Sequence, residues 1–408
     1  MKKTAIVFIL LVVFLSFPVF AEKTAMPPIT MPTVASNGFG GHHLAYTDNI
    51  FALLVNPAAI MRVQQKSFFT LAPSVFNPQS TLELSRSLAD LASGDTSALG
   101  NAADTLSKQK GKIALGFELR EFPFSFAWVA NGFGFGLWNR TFVNLNIVGT
   151  YLEANVFSDV MLPIGFAFKI FSFEKSSLDM GITVKPFARA KAWEEVKITD
   201  LIGDTNMFSD DLSIPIIVGG TFNVGLLYRW SGFSAGFTFN DIFSRGRVVY
   251  EFNNTGKEKD RNNYYIPFTM NFGVAYDIKL FRFLGLTLAA DWHDIRNVFL
   301  QNDYLRRNWL LDLSAGFQLS LFNIVKFRVG MNELLPACGF GLDLGPVEIA
   351  IAYYGKEFGR EPGQLSAAVL ETSFAIRPGA KKRDWPWTRR SIVGLFSGKE
   401  TVRSEKTK

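Results

Sequence analysis

The sequence predicts an all-β fold, a transmembrane antiparallel β-barrel of about fourteen strands. Three observations predict it. The first is alternation: in Leu311–Leu321, the residues Leu311, Leu313, Ala315, Phe317, Leu319 and Leu321 point one way, and Asp312, Ser314, Gly316, Gln318 and Ser320 point the other. Successive strand residues face opposite sides, so this segment has one apolar and one polar face, over a length that suits a tilted strand crossing a bilayer. The second is composition, with 41 phenylalanines and 34 glycines among 408 residues. A membrane barrel needs that much aromatic surface for its outer band and its interfacial girdles. The third is the N-terminus. Lys2 and Lys3 precede an apolar run from Ala5 that continues to Phe20, and Val19-Phe20-Ala21 ends in a small residue. That pattern marks an exported chain.

Taken in order, the elements are a signal peptide over 1–21, an N-terminal zone over 22–65, a barrel over 66–377 and a basic tail over 378–408. The N-terminal zone, which the resemblance below makes a hatch, is rich in Pro, Gly and small residues and shows little alternation. Within the barrel zone, residues 80–108 read as a helical hairpin in a long loop that packs across the barrel mouth. Ser80-Thr-Leu-Glu83 has the pattern of a capping box, and Leu84, Leu88 and Leu91 recur at helical spacing. Alternation returns in 112–120, 178–191, 221–230, 233–240, 270–279, 286–293, 325–332 and 347–354, and 365–376 reads as the last strand. Asn131-Gly132, between two aromatic runs, is the strongest short hairpin signal.

The faces follow from parity. Leu313, Phe317, Phe327 and Ile349 are expected to meet lipid. The lumen-lining candidates are Lys185, Arg189, Asp291, His293, Asp312, Lys326 and Arg328, with Glu348 beside them. The polar face carries Gly, Ala, Ser, Thr and Asn with scattered single charges, which suits a crowded interior better than a solvated surface. The formal charge of +6 comes from Lys2, Lys3 and the tail, and the body alone is slightly acidic. Nothing in that balance points to nucleic acid.

Ser36–Ile60 holds the most specific local signal, ending in Val55-Asn56-Pro57-Ala58-Ala59-Ile60. Proline fixes its own φ and keeps the preceding residue out of helix, the Asn side chain can mimic a turn, and Ala-Ala-Ile can then begin a short helix. This stretch resembles the start of FadL-type proteins, the long-chain fatty-acid transporter family of bacterial outer membranes. The resemblance rests on Asn56, Pro57 and Ala58, which match the family's Asn-Pro-Ala motif, and it spans roughly residues 34–377. It implies a fourteen-stranded barrel plugged by a small hatch and passive passage of long-chain fatty acids or other hydrophobic molecules. The tail departs from that pattern. Lys381-Lys-Arg-Asp-Trp-Pro-Trp-Thr-Arg-Arg390 offers a surface for anionic lipid or a periplasmic partner, so an adaptor or secretion-system shuttle barrel stands as the alternative function.

No enzyme, cofactor or metal is expected. Cys338 lies on an apolar strand face and no disulfide can form. Adjacent His42 and His43 point apart, and Asp291 with His293 reads as a satisfied lumen pair lacking a nucleophile. The expected partners are therefore outer-membrane lipid and a hydrophobic small molecule.

Overall fold

The computed structural model describes residues 23–41, 43–92, 97–108, 111–122, 125–149, 151–197, 214–252, 263–281, 283–299 and 307–379. The signal peptide, His42 and the tail beyond Gly379 lie outside the described residues. The chain opens with β1 (Lys23–Ala25), α1 (Val34–Gly38), α2 (Ala52–Val55) and a 3-10 turn over Pro57–Arg62. Next come β2 (Gln65–Ser67), β3 (Phe69–Phe76), α3 (Pro78–Ala92) and α4 (Ala98–Lys108). The strands that follow are β4 (Lys112–Arg120), β5 (Phe126–Ala130), β6 (Phe133–Val148), β7 (Tyr151–Met161), β8 (Ile164–Phe173) and β9 (Ser176–Lys197). After them run β10 (Ile214–Trp230), β11 (Phe233–Phe252), β12 (Asn263–Tyr265), β13 (Thr269–Phe281) and β14 (Leu284–Trp292). The chain closes with β15 (Leu313–Leu321), β16 (Val325–Asn332), β17 (Leu335–Asp343), β18 (Val347–Glu357) and β19 (Ser366–Ile376).

Antiparallel pairing runs from β3 through β4, β6, β7, β9, β10, β11 and β13, then through β14 to β19 in order, and β19 pairs back with β3. This closed ring has fourteen members and no free edge. The shorter strands β2, β5, β8 and β12 continue their neighbours: β8 keeps the register of β7 against both β6 and β9 across Leu162-Pro163. Asn131 and Gly132 both take positive φ, 52° and 80°, as a two-residue hairpin turn demands. Short turns collect at the end where the chain enters and leaves the ring. Helices α3 and α4, residues 293–299 and 307–312, and residues 358–365 lie at the other end.

Parity decides the faces. Phe317, Phe327 and Ile349 are exposed on the outside, Leu313 shares their face, and Ser314, Gln318 and Ser320 are buried inside. Strand β15 starts two residues later than the alternation suggests. Trp309–Asp312 is a 3-10 turn, so Leu311 turns into the barrel and is buried instead of facing lipid.

The helical hairpin forms, with two corrections. Helix α3 begins at Pro78, whose missing N–H suits a first turn, so Ser80 is no cap. Glu83 instead accepts from Gln79 and from Thr105 of α4. The hairpin also leans on the wall instead of crossing the mouth: Leu84 packs with Ile113 and Leu115, and Leu145 and Ile147 join them, all on the outward face of β4 and β6. Apolar outward positions above the membrane need cover, and the helix supplies it.

Inside the ring sits the N-terminal region. Leu53, Ala58 and Ile60 are fully buried against Val129, Trp138, Met161, Phe187, Ile217 and Leu227 of the wall. Each such side chain contributes on the order of 1.5–3 kcal/mol to docking.

Candidate functional site: the hatch and the cavity above it

Asn56, Pro57 and Ala58 form a joint in the N-terminal region packed inside the ring, the segment expected to act as a hatch and called by that name. Asn56 is fully buried and caps the 3-10 turn, its Oδ1 accepting from Ala58 N at 3.1 Å. Its Nδ2 donates to Leu44 O at 3.0 Å and to Leu226 O of β10 at 3.2 Å. One side chain thus closes a turn, ties two parts of the hatch together and pins both to the wall. Replacing it with alanine leaves buried carbonyls unpaired, at a cost of about 1–3 kcal/mol. Asn56→Ala should therefore raise the open probability of the pore in planar bilayers while the barrel stays folded; unchanged gating would show that the joint is not needed for closure.

The wall beneath this joint lacks side chains where the hatch touches it. A Cβ on Gly181 would overlap the Pro57 carbonyl, and one on Gly225 would overlap Asn56 Oδ1. Gly316 and Gly330 underlie the Phe39 carbonyl, Gly236 underlies Leu44, and Gly339 meets Gly38. Charged groups add further fastenings. Leu44 N donates to Asp291 Oδ2 at 2.7 Å, Arg62 Nε donates to Asp179 Oδ2 at 2.5 Å, and Asn37 Nδ2 donates to Glu371 Oε2 at 2.6 Å. Arg120 joins Glu371 and donates to Pro32 O.

Five of the seven lumen candidates border two cavities, one on each side of the hatch. On the side of the long loops, Lys185, His293 and Asp312 border a cavity of about 370 Å³. Its floor is hatch and N-terminal segment, with Ile29, Met31, Leu44, Leu54 and Val55 giving it an apolar surface. Its walls carry ion pairs. Lys185 Nζ meets Asp241 Oδ1 at 2.8 Å, Arg307 bridges Asp312 and Glu333 at 3.0 Å each, and Arg140 Nε meets Glu118 Oε1 at 2.6 Å. Arg189 grips Asp159 at 2.6 and 2.9 Å and donates to Pro27 O at 2.7 Å, which holds the N-terminal segment in place. Lys356 sits differently, with Nζ 5.2–5.6 Å from the ring centres of Phe358, Phe142 and Phe76. Below the hatch lie Lys326, 3.6 Å from Asp343, and Arg328, which donates to Gln318 Oε1 at 2.7 Å. Both border a smaller cavity of about 70 Å³ with Glu348 and Tyr46.

Asp291 and His293 do not form the pair that their shared face suggests. Asp291 turns to the hatch, where His43 Nδ1 lies 3.8 Å away, and His293 lies 3.3 Å from Ser314 Oγ. Sequence parity identifies charged inward positions but gives no signal for the glycine seats, for Lys356 among its rings, or for the partners of each ion. Among the described residues no group of His, Cys, Asp and Glu is arranged to hold a metal, and no helix is long and apolar enough to cross a membrane.

At the cavity roof, Asp294 adopts a left-handed conformation at the start of a 3-10 turn, and its Oδ1 is buried without a hydrogen bond. Burial raises its carboxyl from the usual value near 3.8 to about 6; Arg296 opposes the rise and Asp312 adds to it. Ionisation is therefore disfavoured in the folded loop. The stabilising contribution is complete below pH 4 and lost as pH rises through 6. Amide exchange in 293–299, corrected for intrinsic rate, should be slower at pH 5 than at pH 7.5, and Asp294→Asn should remove the difference; His293 also faces this roof, so a residual difference in that variant assigns the effect to the imidazole.

Among the described residues, the pairing of the wall lapses beside Glu121 and Ser125. Arg120 pairs with Arg140 and Phe126 with Leu137, and Glu121, Phe122 and Ser125 between them form no ladder pair with β6. On the other side, pairing lapses between Ala72–Arg120 and Ser67–Ala127. Two bonds outside the ladder take its place: Thr70 N donates to the side-chain Oγ of Ser125 at 3.1 Å, and Glu121 N, with φ at +68°, donates to the backbone oxygen of Asn139 at 2.8 Å. A cavity of about 50 Å³ lies against this break, bordered by Thr70, Glu121 and Pro32, and Pro32 also borders the large cavity.

No family model matches the chain, and no curated protein matches it. Among solved structures, the Pseudomonas putida toluene transporter TodX matches with a TM-score of 0.46 and 11% identity, over 88% of this chain and 99% of that one. The Ralstonia pickettii toluene transporter TbuX matches with a TM-score of 0.42 and 10% identity, over 89% and 100%. A Pseudomonas aeruginosa FadL homologue matches with a TM-score of 0.39 and 10% identity, over 87% and 98%. The chain is similar to these proteins. The assignment of a transmembrane barrel rests on its own closed ring and apolar exterior, and such barrels belong to bacterial outer membranes.

Proposed function

We propose that the protein is a passive outer-membrane channel for long-chain fatty acids or similar hydrophobic molecules. The observation that carries this reading is the 370 Å³ cavity, apolar on its hatch floor and lined with fixed charges on its walls. Its size falls in the range of small-molecule sites. An amphipathic molecule can lay its chain on Ile29, Met31, Leu54 and Val55 and direct a polar head to the charged wall. Lys356 and Arg140 supply positive groups there. The route continues past Pro32 to the break between β2–β3 and β4–β5, where the wall lacks its ladder, and out sideways into lipid. In this reading residues 1–21 direct export, 22–65 act as the hatch, and 378–408 form a periplasmic surface.

The test is uptake of radiolabelled long-chain fatty acid into vesicles carrying the purified protein. In a Cys338→Ala background, Thr70→Cys with Ser125→Cys should stop uptake when oxidised and restore it when reduced. Uptake indifferent to that crosslink places the exit elsewhere. No uptake at all by the intact protein moves the function to the adaptor class.

A further inference from the structure

The ring is uneven in height. Strands β14 to β17 have eight or nine residues each, whereas β9, β10 and β11 have 22, 17 and 20. An apolar band of about 25 Å at a strand tilt near 40° takes roughly ten residues. On β11 that band runs from Phe233, beside the short turn, to Phe243, and it includes the outward pair Phe237 and Phe239 with ring centres 4.8 Å apart. Phe243 is 60% exposed and closes the band. The next two outward positions are Arg245 and Arg247.

Their direction is fixed by their neighbours. Gly246 faces Ile217, Phe187 and Met26 inside, and Ser244 Oγ accepts from Ile266 N inside, so 245 and 247 point out. Arg245 stands opposite Gly220, and Arg247 stands opposite Val218 and Asn263. Nothing lies within 4 Å of where a Cβ on Gly220 would sit, so the flank of Arg245 is open. Neither guanidinium has an ion-pair or hydrogen-bond partner among the described residues, and the adjacent outward positions Pro186, Ala188 and Val218 bring no acid. Above them the outward Tyr250 and Phe252 form an edge-to-face pair at 4.7 Å, both about half exposed.

From bottom to top, this outer face presents Phe243 at the membrane edge, two arginines with no partner among the described residues, Val249, and two more rings. We propose that it binds the phosphorylated glycolipid of the outer leaflet, with Arg245 and Arg247 holding a phosphate and Tyr250 and Phe252 packing on the sugar. Two arginines at i and i+2 on one strand face, with backbone spacing of about 7 Å, can reach one phosphate together. Their height, roughly 5–10 Å above the apolar band, is that of the headgroups. An arginine guanidinium presents paired N–H donors that match the oxygens of a phosphate. The inference depends on the barrel's membrane orientation and not on what the lumen carries.

Native mass spectrometry of the detergent-purified protein tests it, with bisphosphorylated lipid A, the same lipid dephosphorylated, and inorganic phosphate as probes. The wild type should retain bisphosphorylated lipid A in preference to the dephosphorylated form. Arg245→Gln with Arg247→Gln should weaken retention roughly tenfold or more, and the double lysine variant should recover part of it. Heat-modifiable gel mobility establishes that each variant is folded. Equal retention by wild type and the glutamine variant, no preference for the phosphorylated lipid, or equal competition by inorganic phosphate at the lipid's concentration would each overturn the assignment.

Discussion

Removal of residues 34–62 should leave a folded barrel whose pore conducts continuously. The ring closes through strand-to-strand pairing from β3 to β19, and no hatch residue is a member of it. What the deletion removes is the material filling the lumen, and a barrel of this strand number without its plug is an open aqueous channel. A point substitution should give the same result by a different route. Gly181→Leu and Gly225→Leu place a branched side chain where Pro57 and Asn56 sit. Overpacking costs about 1–3 kcal/mol, comparable with the docking of one buried hatch side chain, so closure fails before folding does. Single-channel recordings should show a step from rare openings to a steady open level in all three variants. Selective uptake of hydrophobic ligand should be lost with the apolar floor. A closed pore in the deletion variant would mean that the wall collapses or that some other segment blocks it.

Neighbouring residues on β15 should fail in different ways. Phe317 faces lipid, so Phe317→Arg puts a charge in the hydrocarbon and should destabilise the barrel by about 2–4 kcal/mol in vesicle-based urea unfolding. Gly316, one residue earlier, faces inward against the Phe39 carbonyl. Gly316→Arg should leave the unfolding midpoint of the barrel close to wild type while forcing the hatch from its seat and opening the pore. Equal loss of barrel stability at both sites would reject the assignment of faces.

These two residues also mark how far the sequence is legible. Lipid-facing Phe317, Phe327 and Ile349 follow from alternation, because side-chain direction in a strand is a local property with a period of two. The Asn131-Gly132 turn is equally local, since only residues tolerant of positive φ fit it. Alternation says less at strand ends. Leu311 and Asp312 keep the pattern of β15 but lie in a 3-10 turn, because the returning chain must bend before it pairs with β14. The helical hairpin was visible as helix, yet its resting place was not, because a periodic apolar face says that something is covered and not what covers it.

The sequence by itself determined the barrel class, the approximate strand number, the two faces of each strand and the Asn56-Pro57-Ala58 turn, all of which depend on residues close in the chain. Only the tertiary structure decided which charges meet, where the hatch rests and where the wall breaks. Arg120 finds Glu371 and Asp291 finds Leu44 across 251 and 247 positions. Such partners are selected by ring closure and strand register, and both are set by the whole set of pairings together. The glycines are the plainest case. In the sequence Gly181, Gly225 and Gly316 are small inward residues like many others; with the hatch in place, each is the absence of a side chain at a point where backbone meets backbone.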